Sequence, residues 1–95
     1  MPTESASCPW LGGDGAVVVR GLWLADLRRV SATITDAADQ TFEIVALSVR
    51  DENGEQLATR EQWHKLASLH RAEFADLNEA VRRVNGLDTD YVKND

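Results

Sequence analysis

TFEIVALSVRDENGEQL, Thr41 to Leu57, is the stretch on which the fold turns: the densest apolar run of the chain, stopping abruptly in an acidic turn. Phe42, Val45, Ala46 and Val49 recur at i, i+3, i+4 and i+7, the spacing of one helical face, and Ile44 and Leu47 widen it. A strand reading also fits. Glu43, Val45, Leu47 and Val49 alternate with Phe42, Ile44, Ala46 and Ser48, and β-branched residues favour a pleated surface. The helix is preferred because Asp36 can cap its start and Asp51-Glu52-Asn53-Gly54 can end it, Asn and Gly accepting the positive φ that a chain reversal needs. A calcium loop is excluded here. That motif requires Gly at its sixth position and Glu at its twelfth, whereas Gly54 comes two positions early and the twelfth position holds no glutamate.

Working upstream, Thr33 to Gln40 reads as a polar connection carrying that cap. Before it, in LWLADLRRVSATI, Trp23, Leu24, Leu27 and Val30 recur with helical period, while Asp26, Arg28 and Arg29 take the other side. This predicts an amphipathic first helix whose apolar face packs in the core beside Trp10, with a partner-binding face as the functional alternative. The Arg28-Arg29 pair reads as a solvated face. Further back, Trp10-Leu11, Gly12-Gly13-Asp14-Gly15 and Val17-Val18-Val19 form a hairpin signature. The glycines are read as a turn, since they have neither the lysine of a P-loop nor the spacing of a dinucleotide fingerprint. Residues 1–7, small and polar, are expected to be a mobile tail.

Working downstream, Thr59-Arg60-Glu61-Gln62 matches a capping box, so a short third helix should start near Arg60 with Trp63, Leu66 and Ala67 on its apolar side and Glu61, His64 and Lys65 outward. In the last helix Phe74, Leu77, Val81 and Val84 make an apolar stripe. Arg82 and Arg83 suit the C-terminal end of its dipole, and Asn85-Gly86-Leu87 supplies a Schellman-type stop. Residues 88–95 should fray, with Tyr91 and Val92 the only apolar anchors. His64 and His70 are out of phase on a helix and make no metal pair. Cys8 and His64 are the nearest approach to a nucleophile and base, but a lone cysteine near a chain end is read as incidental.

With 95 residues, the chain should fold as a single small domain (8–87), burying about 60–65% of its extended surface, with little room for a deep catalytic cleft. Sixteen acidic against ten basic residues give a net charge of −6, which disfavours phosphate-backbone binding and favours protein partners. The single cysteine rules out an internal disulfide framework and suits a cytoplasmic compartment. No signal-peptide pattern or membrane-spanning apolar run is present in the sequence. No metal or cofactor constellation and no catalytic residues are identified.

Taken in order, the signals resemble a known family. A tryptophan followed by two glycines, a short strand ending in Val19-Arg20, an amphipathic helix, an apolar helix running into Asp51-Glu52-Asn53-Gly54, a Thr59-capped helix and a last helix ending in Asn85-Gly86-Leu87 are similar to the tail assembly chaperones of long-tailed bacteriophages and prophages. The most specific segments are VALSVRDENGEQLAT (Val45 to Thr59) and RRVNGL (Arg82 to Leu87), and the match spans about four fifths of the chain, Trp10 to Leu87. Each piece is common capping chemistry; order and spacing carry the resemblance. One departure is Ala58, where the family often has an aromatic residue before the threonine.

The resemblance implies a small non-enzymatic protein in the cytoplasm of a bacterial host, absent from the mature virion. It would bind the tape-measure protein, keep its apolar helices in solution and hand it to the major tail-tube protein. Self-association into a homo-oligomer is also implied, and a frameshifted longer form is frequent in the family. The fold expected is α+β and predominantly helical, an N-terminal β-hairpin (residues 8–20) packed on four helices near 22–32, 36–50, 60–68 and 71–85. Client or oligomer contacts are expected from exposed members of the Trp23, Leu24 and Leu27 face and of the Trp63 and Leu66 face. The alternative is a small helical regulator or adaptor with residues 59–85 as a DNA-binding helix-turn-helix. Against it, the recognition helix would present Glu73, Asp76 and Glu79 beside its arginines.

Overall fold

The stretch from Thr41 takes both of its possible conformations in turn, helical as far as Ser48 and extended at Val49 and Arg50. The computed structural model describes residues 2–87. In chain order it contains β1 (Thr3–Ser7), a 3-10 turn (Pro9–Leu11), β2 (Ala16–Arg20), α1 (Leu24–Thr33), α2 (Ala37–Ser48), β3 (Val49–Arg50), α3 (Arg60–Leu69) and α4 (Arg71–Val84). The strands form one antiparallel sheet in the order β1-β2-β3. The architecture is therefore α+β and mostly helical, as the periodicities predict.

Several boundaries differ from the sequence reading, among them the start of α1, expected near residue 22 and found at Leu24. The helix expected over 36–50 stops at Ser48 because β2 offers ladder partners to the next two residues, with Val49 opposite Val19 and Arg50 opposite Val18. At the N-terminus, Thr3–Ser7 is not a mobile tail but the first strand of the hairpin, in register from Thr3 opposite Arg20 to Ser7 opposite Ala16. Trp10 and Leu11, expected in that strand, lie in the 3-10 turn that Pro9 opens. The hairpin loop is thus longer than the glycine run alone, and Gly15 closes it at φ +70°. The Cys8 N–H donates to the Gly15 carbonyl at 2.7 Å, and a Cβ on Gly15 would sit 2.6 Å from the Cys8 carbonyl carbon. The predicted fraying of residues 88–95, with Tyr91 and Val92 as anchors, lies outside the described residues.

Local chemistry sets the ends of the helices. Asp36 accepts the Asp39 N–H at 2.9 Å at the start of α2. Asp51 accepts the N–H groups of Asn53 and Glu55, organising a turn in which Gly54 has φ +83°. The Thr59 and Gln62 capping box is complete. Beyond α4 the Leu87 N–H reaches the Arg82 carbonyl and the Gly86 N–H the Arg83 carbonyl, the paired bonds of a Schellman ending.

Trp63 is fully buried at the centre of the core. Its ring meets Trp10 edge-on at 6.4 Å and Phe74 at 6.2 Å, among Val19, Val45, Val49, Leu77 and Val81. Burying so large a ring stabilises the fold by about 4–6 kcal/mol at the usual area coefficient. The indole N–H of Trp63 has no acceptor among the described residues, a cost of about 1–3 kcal/mol that the ring burial exceeds. From α4 come Phe74, Leu77, Ala80 and Val81, the predicted stripe with Ala80 added, while Val84 is half-buried. α1 packs chiefly on α2, and Val30 is its one buried residue.

Candidate functional site

The first helix places its apolar residues differently from the predicted core face. Trp23 is 66% exposed and Leu24 61%, while Leu27 is half-buried. The cause is register. Trp23 is the residue before the helix, with extended φ −65° and ψ 148°, so helical spacing does not carry it over Val30. Leu24 precedes Val30 by six positions, which turns it well away from that face. Leu27, three positions before Val30, stays on it. Trp10 instead packs at a tilt against His70 at 5.3 Å and meets Trp63 edge-on. As predicted, the arginines of α1 are solvated, and Arg29 pairs locally with Asp26 at 2.7 Å.

The second predicted face divides. Trp63, offered as a partner contact, is wholly enclosed by the core and presents nothing to a partner. Leu66 is half-buried and, with the 41%-exposed Leu57 and with Ala58, Gln62 and Lys65, lines an open hollow of about 330 Å³. Ala58, the position that departs from the resembled family, thus falls in this hollow. Leu69, at the end of α3, is 76% exposed. Sequence reasoning missed Leu57 and Leu69 as surface residues. Leu57 is an isolated apolar residue in the polar run after Gly54, and Leu69 falls off the Trp63 and Leu66 stripe. Either irregularity is a readable signal.

Among the described residues, His64 and Cys8 are not brought together. His64 is exposed and stacks on Phe42 at 5.0 Å, and no hydrogen bond or ring contact joins it to Cys8 among the described residues. Burial pushes the Cys8 thiol above its ordinary pKa, against a smaller opposing effect of its hydrogen bond with Trp10. No group of three or more His, Cys, Asp or Glu residues among those described could hold a metal ion. Two guanidinium groups, from Arg20 and Arg50, donate to the Leu47 carbonyl at 3.4 and 3.2 Å, placing cations at the negative end of the α2 dipole. Partial burial, and then the proximity of Arg20, lowers the Arg50 pKa.

The C-terminal end of α4 ties the apolar surface of α1 to the core. Asn85 accepts the Leu22 N–H at 2.7 Å and donates to the Ser48 hydroxyl at 3.1 Å and the Val81 carbonyl at 2.9 Å. This side chain holds the approach to α1 in place, so that Trp23 leaves the body of the protein at a fixed point. Sequence reading took Asn85 only as a helix stop. As to the alternative, α3 and α4 are joined by His70 alone, whereas a helix-turn-helix uses a turn of about three to four residues. Glu73, Asp76 and Glu79 are all exposed on α4. No helix among the described residues is long and apolar enough to cross a membrane. Set against family models, curated proteins and solved structures, the chain matches none of them.

Proposed function

We propose that this chain is a non-catalytic binding protein of the tail-assembly-chaperone kind, working in the cytoplasm of a bacterial host. It would hold apolar helical stretches of a tape-measure protein in solution, self-associate around that client and release it to tail-tube subunits. The observation that carries this reading is the exposure of Trp23 and Leu24, 66% and 61%, at the start of α1. A tryptophan left in water forgoes several kcal/mol of burial, and tryptophan is among the residues that most often anchor protein interfaces, here with an apolar neighbour beside it. The open hollow of Leu57, Ala58 and Leu66 offers a second apolar contact of the helix-in-groove type. A net charge of −6 would keep a loaded complex from aggregating.

The test is co-expression with a tape-measure protein, whose gene the reading expects to lie downstream. Trp23→Ser combined with Leu24→Ser should reduce capture at least tenfold, while the urea unfolding midpoint stays unchanged. Undiminished capture by the folded double variant would overturn the reading. So would salt-dependent retardation of duplex DNA, which would favour the regulator instead. The adjacent genome offers an independent check, since the reading expects a slippery heptamer near the stop codon and a very long open reading frame downstream.

A further inference from the structure

Among the described residues β1 is an edge strand, and the hydrogen bonds at its two ends identify which of its residues face outward. Cys8 N–H donates to the Gly15 carbonyl and Gly21 N–H to the Pro2 carbonyl, in line with the register of Glu4 opposite Val19 and Ala6 opposite Val17. In an antiparallel pair, hydrogen-bonded and non-hydrogen-bonded positions alternate. The even-numbered residues of β1 therefore bond to β2, while Thr3, Ser5 and Ser7 direct their N–H and C=O groups to the open edge. All three have exposed side chains, and within the strand there is no lysine, proline or bulge of the kind that usually blunts such an edge. The charge of Glu4 is turned to the helix side, where Arg83 holds it.

α4 runs alongside this edge. Glu4 meets Arg83 near the helix end, and further along Ala6 and Ser7 line a hollow of about 260 Å³ with Leu77 and Ala80, bounded also by Trp10, Glu73 and Asp76. Neither the Glu73 nor the Asp76 carboxylate has a hydrogen-bond or ion-pair partner among the described residues. We propose that the β1 edge and this hollow together bind an extended peptide segment bearing a lysine or arginine, which adds as a further strand and sets its cationic side chain between Glu73 and Asp76.

Strand addition supplies affinity through main-chain bonds and specificity through pockets for alternate side chains. A peptide residue opposite Ala6 points to the same face as Ala6, towards α4. There the apolar stem of a lysine or arginine lies against Leu77 and Ala80, and its charge meets the two carboxylates. The indole of Trp10 is a suitable neighbour for a cation. Charge also decides against a second copy as occupant. Edge-to-edge pairing would bring the carboxylates of two acidic hollows together. The surface is built from residues of β1, the following turn and α4, none of which is among the residues on which the client reading rests.

The test is fluorescence polarisation with a labelled threonine- and valine-rich octapeptide carrying a central lysine, against the same peptide with glutamate there. The lysine peptide should bind about tenfold or more tightly, the scale of a charge-assisted contact. N-methylation of alternate peptide amides should abolish binding. Ser5→Pro removes an outward N–H and none that bonds to β2, and it should lower affinity at least tenfold while the circular dichroism spectrum is retained. Glu73→Gln with Asp76→Asn should leave edge binding but erase the preference for lysine. Equal binding of both peptides, or full binding of the N-methylated one, overturns the proposal. So does a concentration-dependent dimer that Ser5→Pro abolishes, since a second copy would then be the occupant.

Discussion

Replacing Asn85 with alanine should be among the most damaging changes of a polar residue. Its carboxamide bonds to Leu22 and Ser48, 63 and 37 residues away in sequence, and to Val81 within its own helix. A net hydrogen bond is worth about 0.5–1.5 kcal/mol, and a buried group left orphaned costs about 1–3 kcal/mol. The Ser48 hydroxyl is fully buried and would bear the full penalty, whereas the half-buried Leu22 N–H could recover part of it from water. The expected loss is about 2–4 kcal/mol, the larger part of a small domain's margin, and a fall in Tm of roughly 10–30 °C. Urea unfolding followed by tryptophan fluorescence measures it, because Trp63 passes from the core to water. Ser48→Ala alone should cost about 1 kcal/mol, and the double variant should fall short of the sum by a coupling of about 1 kcal/mol. A loss below about 1 kcal/mol for Asn85→Ala, with an unchanged m-value, would refute the claim that this side chain joins the approach of α1 to α2 and α4.

The two other exposed and buried contrasts give further tests. Trp63→Ala should cost about 3–5 kcal/mol, whereas Trp23→Ala should change stability by less than about 0.5 kcal/mol, both by denaturant melts. Gly15→Ala should destabilise by roughly 2 kcal/mol or more, because φ is +70° and the new Cβ meets Cys8 backbone at 2.6 Å. Gly54→Ala, at φ +83° with open space around it, should cost only about 1 kcal/mol in the same assay. For pH, the hydrogen bond from Arg83 holds the Glu4 carboxyl below its ordinary value, opposed by desolvation and aided to a lesser extent by the Arg83 charge. A folded-state value below the unfolded one stabilises the fold at neutral pH, and that contribution is lost as pH falls through the folded-state value. Glu4→Gln should therefore flatten the acid side of the stability profile, most visibly at low salt, and an identical profile for both proteins would contradict the pairing.

Much of the secondary structure was legible because its signals are local. The Asp36 cap, the Asp51 to Gly54 turn, the Thr59 and Gln62 box and the Asn85-Gly86-Leu87 ending are each settled by side chains within a few residues of the backbone groups they satisfy. The stripe of Phe74, Leu77 and Val81 was legible because a single helical period runs without interruption through α4. What failed were inferences that extended a period across an element boundary. Trp23 was counted in phase with Val30 although it stands just outside the helix, and Val49 was counted in phase with Val45 although a strand claims it. Thr3–Ser7 has no apolar signal of its own. It becomes a strand because Val17 to Val19 need a ladder partner and because Ala6 and Glu4 meet α4.

The sequence by itself determined the class of the fold, the four α-helices of the described residues, the caps of α2 and α3, the ending of α4 and the net acidic charge, all consequences of short-range periodicity, turn chemistry and composition. Tertiary structure decided which tryptophan is core and which is surface, where the central stretch changes from helix to strand, and that Asn85 is a three-way tie as well as a helix stop. Those outcomes depend on which partners lie across space. A tryptophan at helical spacing looks the same in sequence whether the volume beside it is filled by Phe74 and Val81 or by water.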